Sequence, residues 1–503
     1  MEDKEKIDAE FQQLMQVDQD VKKVDIVEKS IGVFGRWHLY ICFLISLAKL
    51  PSAWVQLNIV FVAPLANFSC FDNDTDKCSK NCSEHIYDRS LFTETITTQW
   101  DLVCENAQLA NLAQTITMSG ILVGNFLFGI LADKFGRRNS LVLAVIIQIV
   151  TGTVMAFLPW FWLFLVCRFL CALATGGTMV TTFVLVMELV GSKWRTEVGI
   201  LYQIPFNLGH LSLALIGYLI RDWRYFQLTI TLPSLILLSY YWIIPESPRW
   251  LLAVGQQKKA IKIMEKAAHH NRLPTDGIKD DVKNYMTNES TEHKKGRLLD
   301  LVSTSNLRIK TFCICFNWVV CGLCFYGGAQ YMGQLGGNIF VNVAISAVIQ
   351  LPGTFVAIWL TKRFGRKYTL IGANILTGLS FLFISLVPYD LDWVKVFLGT
   401  VGIFGLSLCF PTVYIYSGEL YPTVIRNIGV GTSSTCARIG SMLAPYVAGL
   451  AVIEPWMPPV VFGVIPLIGA VLGYYLPETL NCKLPETLED AELFGKNVKN
   501  LET

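Results

Sequence analysis

The chain has 503 residues, of which 53% are hydrophobic and only 16% are charged. Its mean hydropathy of +0.46 lies above the range of soluble globular domains, so a lipid bilayer is the expected solvent. The formal net charge of +2 excludes the strongly basic surface of a nucleic-acid-binding protein, and no nucleic-acid partner is expected.

Apolar stretches long enough to cross a membrane recur along the whole chain. A membrane helix needs about 20 mostly apolar residues. On this criterion the sequence predicts an all-α membrane protein with twelve spans, at 38–66, 107–132, 139–159, 161–185, 197–220, 226–244, 309–332, 338–360, 368–387, 392–416, 427–453 and 459–476. An even number of spans places both termini on the same side.

Clusters of basic residues indicate which side faces the cytoplasm. They follow spans 2, 4 and 8, at 134–138, 193–195 and 362–367. Cytoplasmic loops carry an excess of Lys and Arg, so these loops are predicted to be cytoplasmic. The polar N-terminal segment 1–37 and the tail 477–503 are then cytoplasmic as well.

The first outer loop, 67–106, combines cysteines with glycosylation sequons. Its cysteines are Cys70, Cys78, Cys82 and Cys104, and its three sequons begin at Asn67, Asn73 and Asn81. This combination indicates an oxidising, glycosylating compartment on that side. Four cysteines allow three disulfide pairings, and the sequence does not choose among them.

Three landmarks occur twice along the chain. The turns that begin at Lys134 and Arg363 lie 229 positions apart, the Glu-x6-Arg elements that end at Arg195 and Arg426 lie 231 apart, and Pro245-Glu246 and Pro477-Glu478 lie 232 apart. The offset covers six spans, so the two halves have the same orientation. The predicted organisation is a six-helix bundle at 38–245, a cytoplasmic linker at 246–308, a second six-helix bundle at 309–476 and the tail.

The repeated charged residues at the cytoplasmic rim suggest a latch. We hypothesise that acidic and basic groups there, with Glu188/Arg195 and Glu419/Arg426 as the expected pairs, hold the halves together in the outward-open state and separate when the inner side opens. The alternative is that they only anchor loops and signal topology. The candidate gating residues are Asp133, Arg137, Arg138, Glu188, Arg195, Glu246, Arg366, Glu419, Arg426 and Glu478.

Several motifs resemble those of one family of carriers. They are Thr98-Gln99-Trp100-Asp101-Leu102-Val103-Cys104, the glycine- and arginine-containing turn 129–138, Tyr240-Tyr241-Trp242 running into 245–250, Gly336-Gly337-Asn338, and Glu419-Leu420-Tyr421-Pro422-Thr423 with Arg426-Asn427. Over nearly its whole length the chain resembles the organic cation, carnitine and organic anion transporters, solute carrier family 22 of the major facilitator superfamily, including insect-type organic cation transporter-like proteins. The resemblance implies the major facilitator fold, with two six-helix pseudo-repeats, in the plasma membrane. It also implies movement of small organic ions by alternating access, facilitated or ion-coupled and without ATP.

Among the cationic residues inside predicted spans, where a charge is costly and therefore indicates function, two stand out. Arg438 lies near the middle of span 11, at a place where cation transporters of the resembled family have Asp and the anion and carnitine branches have Arg. Gln350 in span 8 stands where the cation and carnitine branches typically have Glu. Because a guanidinium fork suits a carboxylate, Arg438 predicts a substrate with an anionic group. Lys49 in span 1 is a second, weaker candidate.

Aromatic and amide residues on neighbouring spans complete the candidate substrate site. Aromatic faces attract amines, so together with Arg438 these residues favour a zwitterion such as carnitine or an amino-acid-like compound. They are Tyr202, Gln203, Asn207, Phe325, Tyr326, Tyr414 and Tyr416.

Other classes of protein fit the sequence less well. The alternatives within transporters are an organic anion carrier, favoured by Arg438 and Gln350, and a simple cation carrier. A channel or receptor is the rival from another class, but it would not require two six-span repeats. The six histidines have no metal-binding spacing and no phosphate-binding glycine loop occurs, so an enzyme, a metal site and a cofactor are not expected. Na⁺ or H⁺ is the candidate coupling ion.

Overall fold

A computed structural model describes residues 25–70, 78, 84–288, 297–388, 390–422, 424–482, 485 and 487–495, without the side chains of 196 and 285–288. Twelve helical segments in this part of the chain are long and apolar enough to cross a membrane. They are span 1, Arg36–Val62; span 2, Cys104–Phe135; span 3, Arg137–Met155; span 4, Phe161–Leu189; span 5, Glu197–Leu219; span 6, Trp223–Ile243; span 7, Ser305–Met332; span 8, Ile339–Arg363; span 9, Arg366–Ile384; span 10, Asp392–Leu420; span 11, Arg426–Val452; and span 12, Met457–Tyr474. The prediction of twelve spans is confirmed, with ends shifted by a few residues.

Three spans in the first half are interrupted. Span 1 consists of the helices Arg36–Leu47, Lys49–Leu57 and Ile59–Val62, and span 5 of Arg195–Leu201 and Ile204–Leu219. Span 6 runs as Trp223–Thr231, the 3₁₀ segment Leu232–Ser239 and Tyr240–Ile243. Pro51, Pro205 and Pro233 lie in the first turn after an interruption, where a missing N–H costs least. Lys49 is the first residue after one interruption, and Tyr202 and Gln203 form another.

The remaining spans follow simpler courses. Span 2 is Ala107–Phe135 preceded by the 3₁₀ turn Cys104–Asn106, and span 11 is Arg426–Gly449 followed by the 3₁₀ turn Leu450–Val452. Spans 3, 4, 7, 8, 9, 10 and 12 are single helices. The short elements outside the spans are Ile26–Ile31, Ile96–Gln99, Ser192–Trp194, Pro248–Ala253, Gln257–His270, Ile278–Asn288, Leu298–Val302 and Leu488–Leu493.

The two halves repeat the same set of helix neighbours. Spans 2 and 4, 1 and 5, and 3 and 6 pack together in the first half, and their counterparts 8 and 10, 7 and 11, and 9 and 12 do so in the second. The halves meet along span 5 against span 8 and span 2 against span 11. Close approach depends on glycine: a Cβ at Gly124 would overlap the carbonyl of Leu173, and one at Gly322 that of Ala437. The fold therefore has the predicted six-plus-six architecture.

The segment between the halves is more ordered than a linker. Its helices Pro248–Ala253, Gln257–His270 and Ile278–Asn288 form an apolar core with the N-terminal helix Ile26–Ile31. Asn271 joins this layer to span 1, accepting from the Trp37 N–H at 2.9 Å and donating to the Ile31 carbonyl at 2.8 Å. The predicted linker 246–308 is thus largely a helical layer attached to the first half.

The outer loop contains a small antiparallel sheet and a disulfide. The strands Phe68–Cys70 and His85–Tyr87 pair with each other. Cys78 is bonded to Cys104, and Cys70 is also in a disulfide. Asn67 is exposed. The remaining predicted features of this loop, Cys82, Asn73 and Asn81, lie outside the described residues.

Candidate substrate site between the two halves

Arg438 lies at the contact between the halves, midway along span 11. Its Nη1 donates to the hydroxyl of Tyr326 on span 7 at 3.1 Å and to Oε1 of Gln56 on span 1 at 3.5 Å. Tyr326 also donates to that Gln56 oxygen, so the three side chains join one half to the other. Arg438 Nε is buried, and among the described residues no group accepts a hydrogen bond from it. The guanidinium therefore has donor capacity left for a ligand.

Lys49 lies on the opposite side of this contact, directly after the first interruption of span 1. The side chain is buried, with only 5% of the residue exposed. Its Nζ donates to Oε1 of Gln203 at 3.3 Å and lies 4.7 Å from the ring centroid of Tyr202 and 5.9 Å from that of Phe206. Two aromatic faces and an amide thus hold the ammonium in the membrane interior.

The site has two cations and no neighbouring carboxylate in the described spans. Every Asp and Glu of those spans lies at a span end: Glu105, Asp133, Glu188, Glu197, Asp392 and Glu419. The charges of Lys49 and Arg438 are close enough to repel each other. An excess of positive charge inside a bilayer is unfavourable unless an anion compensates it, so the site favours an anionic ligand.

The predicted aromatic and amide residues converge here, with one exception. Asn207 donates to Thr354 at 3.4 Å, and the Gln350 amide lies 3.1 Å from Nδ1 of His210; both contacts join span 5 to span 8. The ring contacts that link the cluster are Phe206 with Phe325 at 6.4 Å, Phe325 with Tyr326 at 5.3 Å, Phe325 with Phe410 at 5.8 Å, and Phe183 with Tyr414 at 5.7 Å. Tyr416 lies elsewhere, because its hydroxyl donates at 2.5 Å to the carbonyl of Pro477 after span 12.

Sequence reasoning did not select Gln56, Phe206 or Phe183. Two of them carried a usable signal. Gln56 follows Lys49 by seven residues and Phe206 follows Tyr202 by four, and both spacings place residues on one helix face. The interruptions of spans 1 and 5 obscured this periodicity. Phe183 carried no signal, since an aromatic residue in a membrane helix usually packs against others.

At the rim predicted to be cytoplasmic, each half has a similar cluster of charges built on an arginine. Arg137 pairs with Asp133 at 2.6 Å and with Glu188 at 2.7 Å, and Arg366 pairs with Glu419 at 2.6 Å. Both arginines are the first residue of a span. The expected pair Glu188/Arg195 forms no ion pair among the described residues, since Arg195 Nε donates to the Val190 carbonyl. In the second half Arg426 Nε donates to the Tyr421 carbonyl, and its charge also interacts with that of Glu419.

Each rim cluster contains a further carboxylate, which binds backbone N–H groups. Glu246, just after span 6, accepts from the backbone N–H groups of Arg137 and Arg138 at 2.8 and 3.2 Å. Glu478, just after span 12, accepts from those of Arg366 and Lys367 at 2.9 and 3.1 Å. Burial raises the pKa of the Glu246 carboxyl, and the hydrogen bonds from the backbone oppose that shift. Both acids lie at the positive end of a helix dipole, where negative charge is favoured.

Contacts between the halves occur on both sides of the site. On the outer side the ring of Phe340 stacks on Phe61 with centroids 5.6 Å apart, and it also contacts Phe92 and Tyr218. On the side predicted to be cytoplasmic, Lys362 pairs with Glu197 at 3.0 Å. Phe183 and Tyr414 form another contact between the halves. The latch residues chosen from sequence form pairs within each half, whereas Lys362 and Glu197 pair across the halves.

Comparison with known proteins identifies the family. The family model described as "Sugar (and other) transporter" matches residues 42–490. The organic cation transporter protein of Drosophila melanogaster is 33% identical, over 95% of this chain and 96% of its own length. Solute carrier family 22 member 3 of Mus musculus is 37% identical over 80% of this chain and 73% of its own length. The chain belongs to solute carrier family 22 of the major facilitator superfamily.

Other relatives in this family are named as carriers of organic anions rather than organic cations. Organic anion transporter 3 of Oryctolagus cuniculus is 35% identical, over 85% of this chain and 80% of its own length. The inward-open xylose transporter XylE from E. coli has the same fold, with a TM-score of 0.66 and 18% identity over 91% of this chain and all of that chain. Family 22 members are transporters rather than enzymes, so this chain is a multi-pass membrane transporter of organic ions. The family contains both cation and anion carriers and does not assign the substrate charge.

Proposed function

We propose that this transporter carries small organic ions bearing a carboxylate or a comparable anionic group, and that Arg438 binds that group. The observation that carries the proposal is the partly buried Arg438 guanidinium, whose buried Nε donor is unused among the described residues and which has no carboxylate nearby in the described spans. A charge-assisted, bidentate contact would satisfy the remaining donor and compensate the charge at the same time.

Lys49 adds to this preference for anions. Its ammonium lies over the ring of Tyr202, which the sequence suggested for a substrate amine, and over that of Phe206. A simple organic cation would meet two positive charges and find these two rings already engaged. We therefore rank organic anions first. Zwitterions such as carnitine or amino-acid-like compounds rank second, because Phe325, Phe410 and Tyr414 supply further aromatic surface beside Arg438.

Alternating access would proceed by movement of the two halves about this site. Contacts on the outer side, at Phe340, and on the inner side, at Lys362 and Glu197, would open in turn. In this proposal the rim clusters built on Arg137 and Arg366 keep each half rigid and hold the cytoplasmic ends of the spans in register. The proposal includes a plasma-membrane location with both termini in the cytoplasm and Na⁺ or H⁺ as the candidate coupling ion.

An uptake panel in cells that express the protein tests the substrate charge. It compares mono- and dicarboxylates, amino-acid-like zwitterions and quaternary ammonium ions for the wild type, Arg438→Lys, Arg438→Gln and Arg438→Asp. Arg308→Gln, an exposed arginine at the start of span 7, is the matched control. We expect saturable carboxylate uptake that Arg438→Gln abolishes, Arg438→Lys partly retains and Arg308→Gln leaves unchanged. Saturable uptake of quaternary ammonium ions alone, unaffected by Arg438→Gln, would refute the proposal.

A further inference from the structure

A lateral groove lies on the surface between the two halves, away from the substrate site. Its volume is about 750 Å³, which is within the range of ligand sites. One wall is span 5 and the other is span 8, and their lining is almost wholly apolar. The main contributors are Leu211, Leu215 and Tyr218 on span 5 and Phe340, Ala344 and Val348 on span 8. All belong to the outer halves of their spans.

The groove opens toward the surrounding lipid. Leu215 is 60% exposed, and Tyr218 and Val348 are each about half exposed. Exposed apolar residues are expected on any membrane-facing surface, so exposure alone does not distinguish this place. The concave shape and the position between two bundles that move relative to each other do distinguish it.

A cation lies at the outer end of the groove. The guanidinium of Arg221, just after span 5, lies 5.5 Å from the ring centroid of Tyr218 and 5.9 Å from that of Phe340. Both rings line the groove. The other contacts of Arg221 are long ones to the backbone carbonyls of Tyr218 and Ser90, at 3.4 and 3.5 Å. Among the described residues no carboxylate forms an ion pair with it.

We propose that the groove binds one acyl chain of an outer-leaflet phospholipid, whose phosphate binds Arg221. The apolar walls match the chain, and a guanidinium is suited to a phosphate. The position of Arg221 beyond the end of span 5 corresponds to the headgroup region, where such a phosphate lies. A sterol fits less well, because it has no anionic group for Arg221.

This lipid would also respond to the transport cycle. Phe340 is at once a wall of the groove and the centre of the outer contact with Phe61 and Phe92. A chain held between spans 5 and 8 touches both halves while they are closed on the outer side. It therefore stabilises that arrangement over one in which the outer halves are apart.

Photo-crosslinking of the purified full-length protein in lipid nanodiscs tests the site. The probe is a phosphatidylcholine with a photoactivatable group in its acyl chain, and a photoactivatable cholesterol is used in parallel. Labelled positions are mapped by peptide mass spectrometry. The variants are Ala344→Trp, which fills the groove, Arg221→Gln, which removes the charge, and Arg221→Lys, which keeps it. Val471→Trp, on the exposed face of span 12, is the control for adding an indole to a lipid-facing helix.

We expect phosphatidylcholine labelling of 208–218 and 340–349 above that of other exposed helix faces. Ala344→Trp should remove this excess, Arg221→Gln should reduce it roughly tenfold as one charge-assisted contact is lost, and Arg221→Lys and Val471→Trp should retain it. The proposal is overturned if the two segments are labelled no more than other faces, if the labelling survives both Ala344→Trp and Arg221→Gln, or if only the sterol probe labels them. The monodispersity of each variant is measured as a control for folding. If Ala344→Trp misfolds, the comparison of Arg221→Gln with the wild type decides the test.

Discussion

Glu197 on span 5 and Lys362 on span 8 form an ion pair of 3.0 Å across the interface between the halves, on the side predicted to be cytoplasmic. Neither residue belongs to the rim clusters that repeat in each half. Lys362 is the more exposed partner, with 60% of its side chain accessible, so the pair contributes modestly to the closed arrangement.

Reversing either charge of this pair is expected to favour the state open to the cytoplasm. Glu197→Lys and Lys362→Glu each place like charges together, and uptake should fall about two- to fivefold, as expected for a surface pair worth up to ~1 kcal/mol. The double swap restores opposite charges and should recover uptake. Measurement of initial uptake rates in all four proteins forms a double-mutant cycle. If the fold reduction of uptake in the double variant equals the product of the two single fold reductions, the two residues do not interact during transport.

Arg137 and Arg195 should respond differently to neutralisation. Arg137→Gln leaves Glu188 in a partly buried position without its guanidinium partner, and removing one member of such a pair costs about 3 kcal/mol or more. Arg195 contacts a backbone carbonyl, so Arg195→Gln should have a smaller effect. Thermal unfolding in detergent measures both variants. Equal losses for Arg137→Gln and Arg195→Gln would contradict the assigned pairing.

Removing the hydroxyl of Tyr326 should weaken binding of anionic substrates. In Tyr326→Phe, Arg438 loses one of its two acceptors and Oε1 of Gln56 loses one of its two donors, at a cost of about 1–3 kcal/mol for the lost hydrogen bonds. We expect a higher KM for carboxylates. Tyr331→Phe is the control, since it removes a buried hydroxyl of the same span away from the Arg438 contact. An unchanged KM in Tyr326→Phe, or an equal rise in Tyr331→Phe, would argue against a role for this hydroxyl in positioning Arg438.

Helix contacts that need glycine can be tested in the second half alone. In Gly322→Ala the new Cβ would overlap the carbonyl of Ala437, forcing spans 7 and 11 apart at a cost of about 1–3 kcal/mol. Gly372→Ala on span 9 adds a methyl group in open space and should be neutral or slightly stabilising. Thermal unfolding of the two variants gives the comparison. A destabilised Gly372→Ala together with an unaffected Gly322→Ala would contradict the observed packing.

The spans, the repeat and the position of Arg438 could be predicted because each depends on local composition or on motif spacing. The ionic contacts could not be predicted in the same way. A spacing of seven residues suggested Glu188 with Arg195, yet the turn after span 4 directs Arg195 to a backbone carbonyl, while Arg137 comes from a different span. Partner choice among charged residues depends on the arrangement of helices, which the sequence pattern does not specify.

The residues around Lys49 illustrate a second limit. Hydropathy identified spans 1 and 5, but it treated each as one regular helix. Lys49 follows the interruption after Leu47 and contacts Tyr202 and Gln203, which form the interruption after Leu201. The prediction of a linker at 246–308 also missed the packing of this segment. Its apolar residues such as Met264 and Ala267 pack in a helical layer with the N-terminal helix, and a short amphipathic pattern does not identify its partner.

The carboxylates of Glu246 and Glu478 have a mechanical consequence. Each ties the exit of the sixth span of its half to the entry of the third span, through two backbone N–H groups. The third and sixth spans of each half cannot slide past each other at this rim without breaking those bonds. We therefore expect a displacement that begins at the substrate contact in one half to reach the rim as a tilt of the whole bundle.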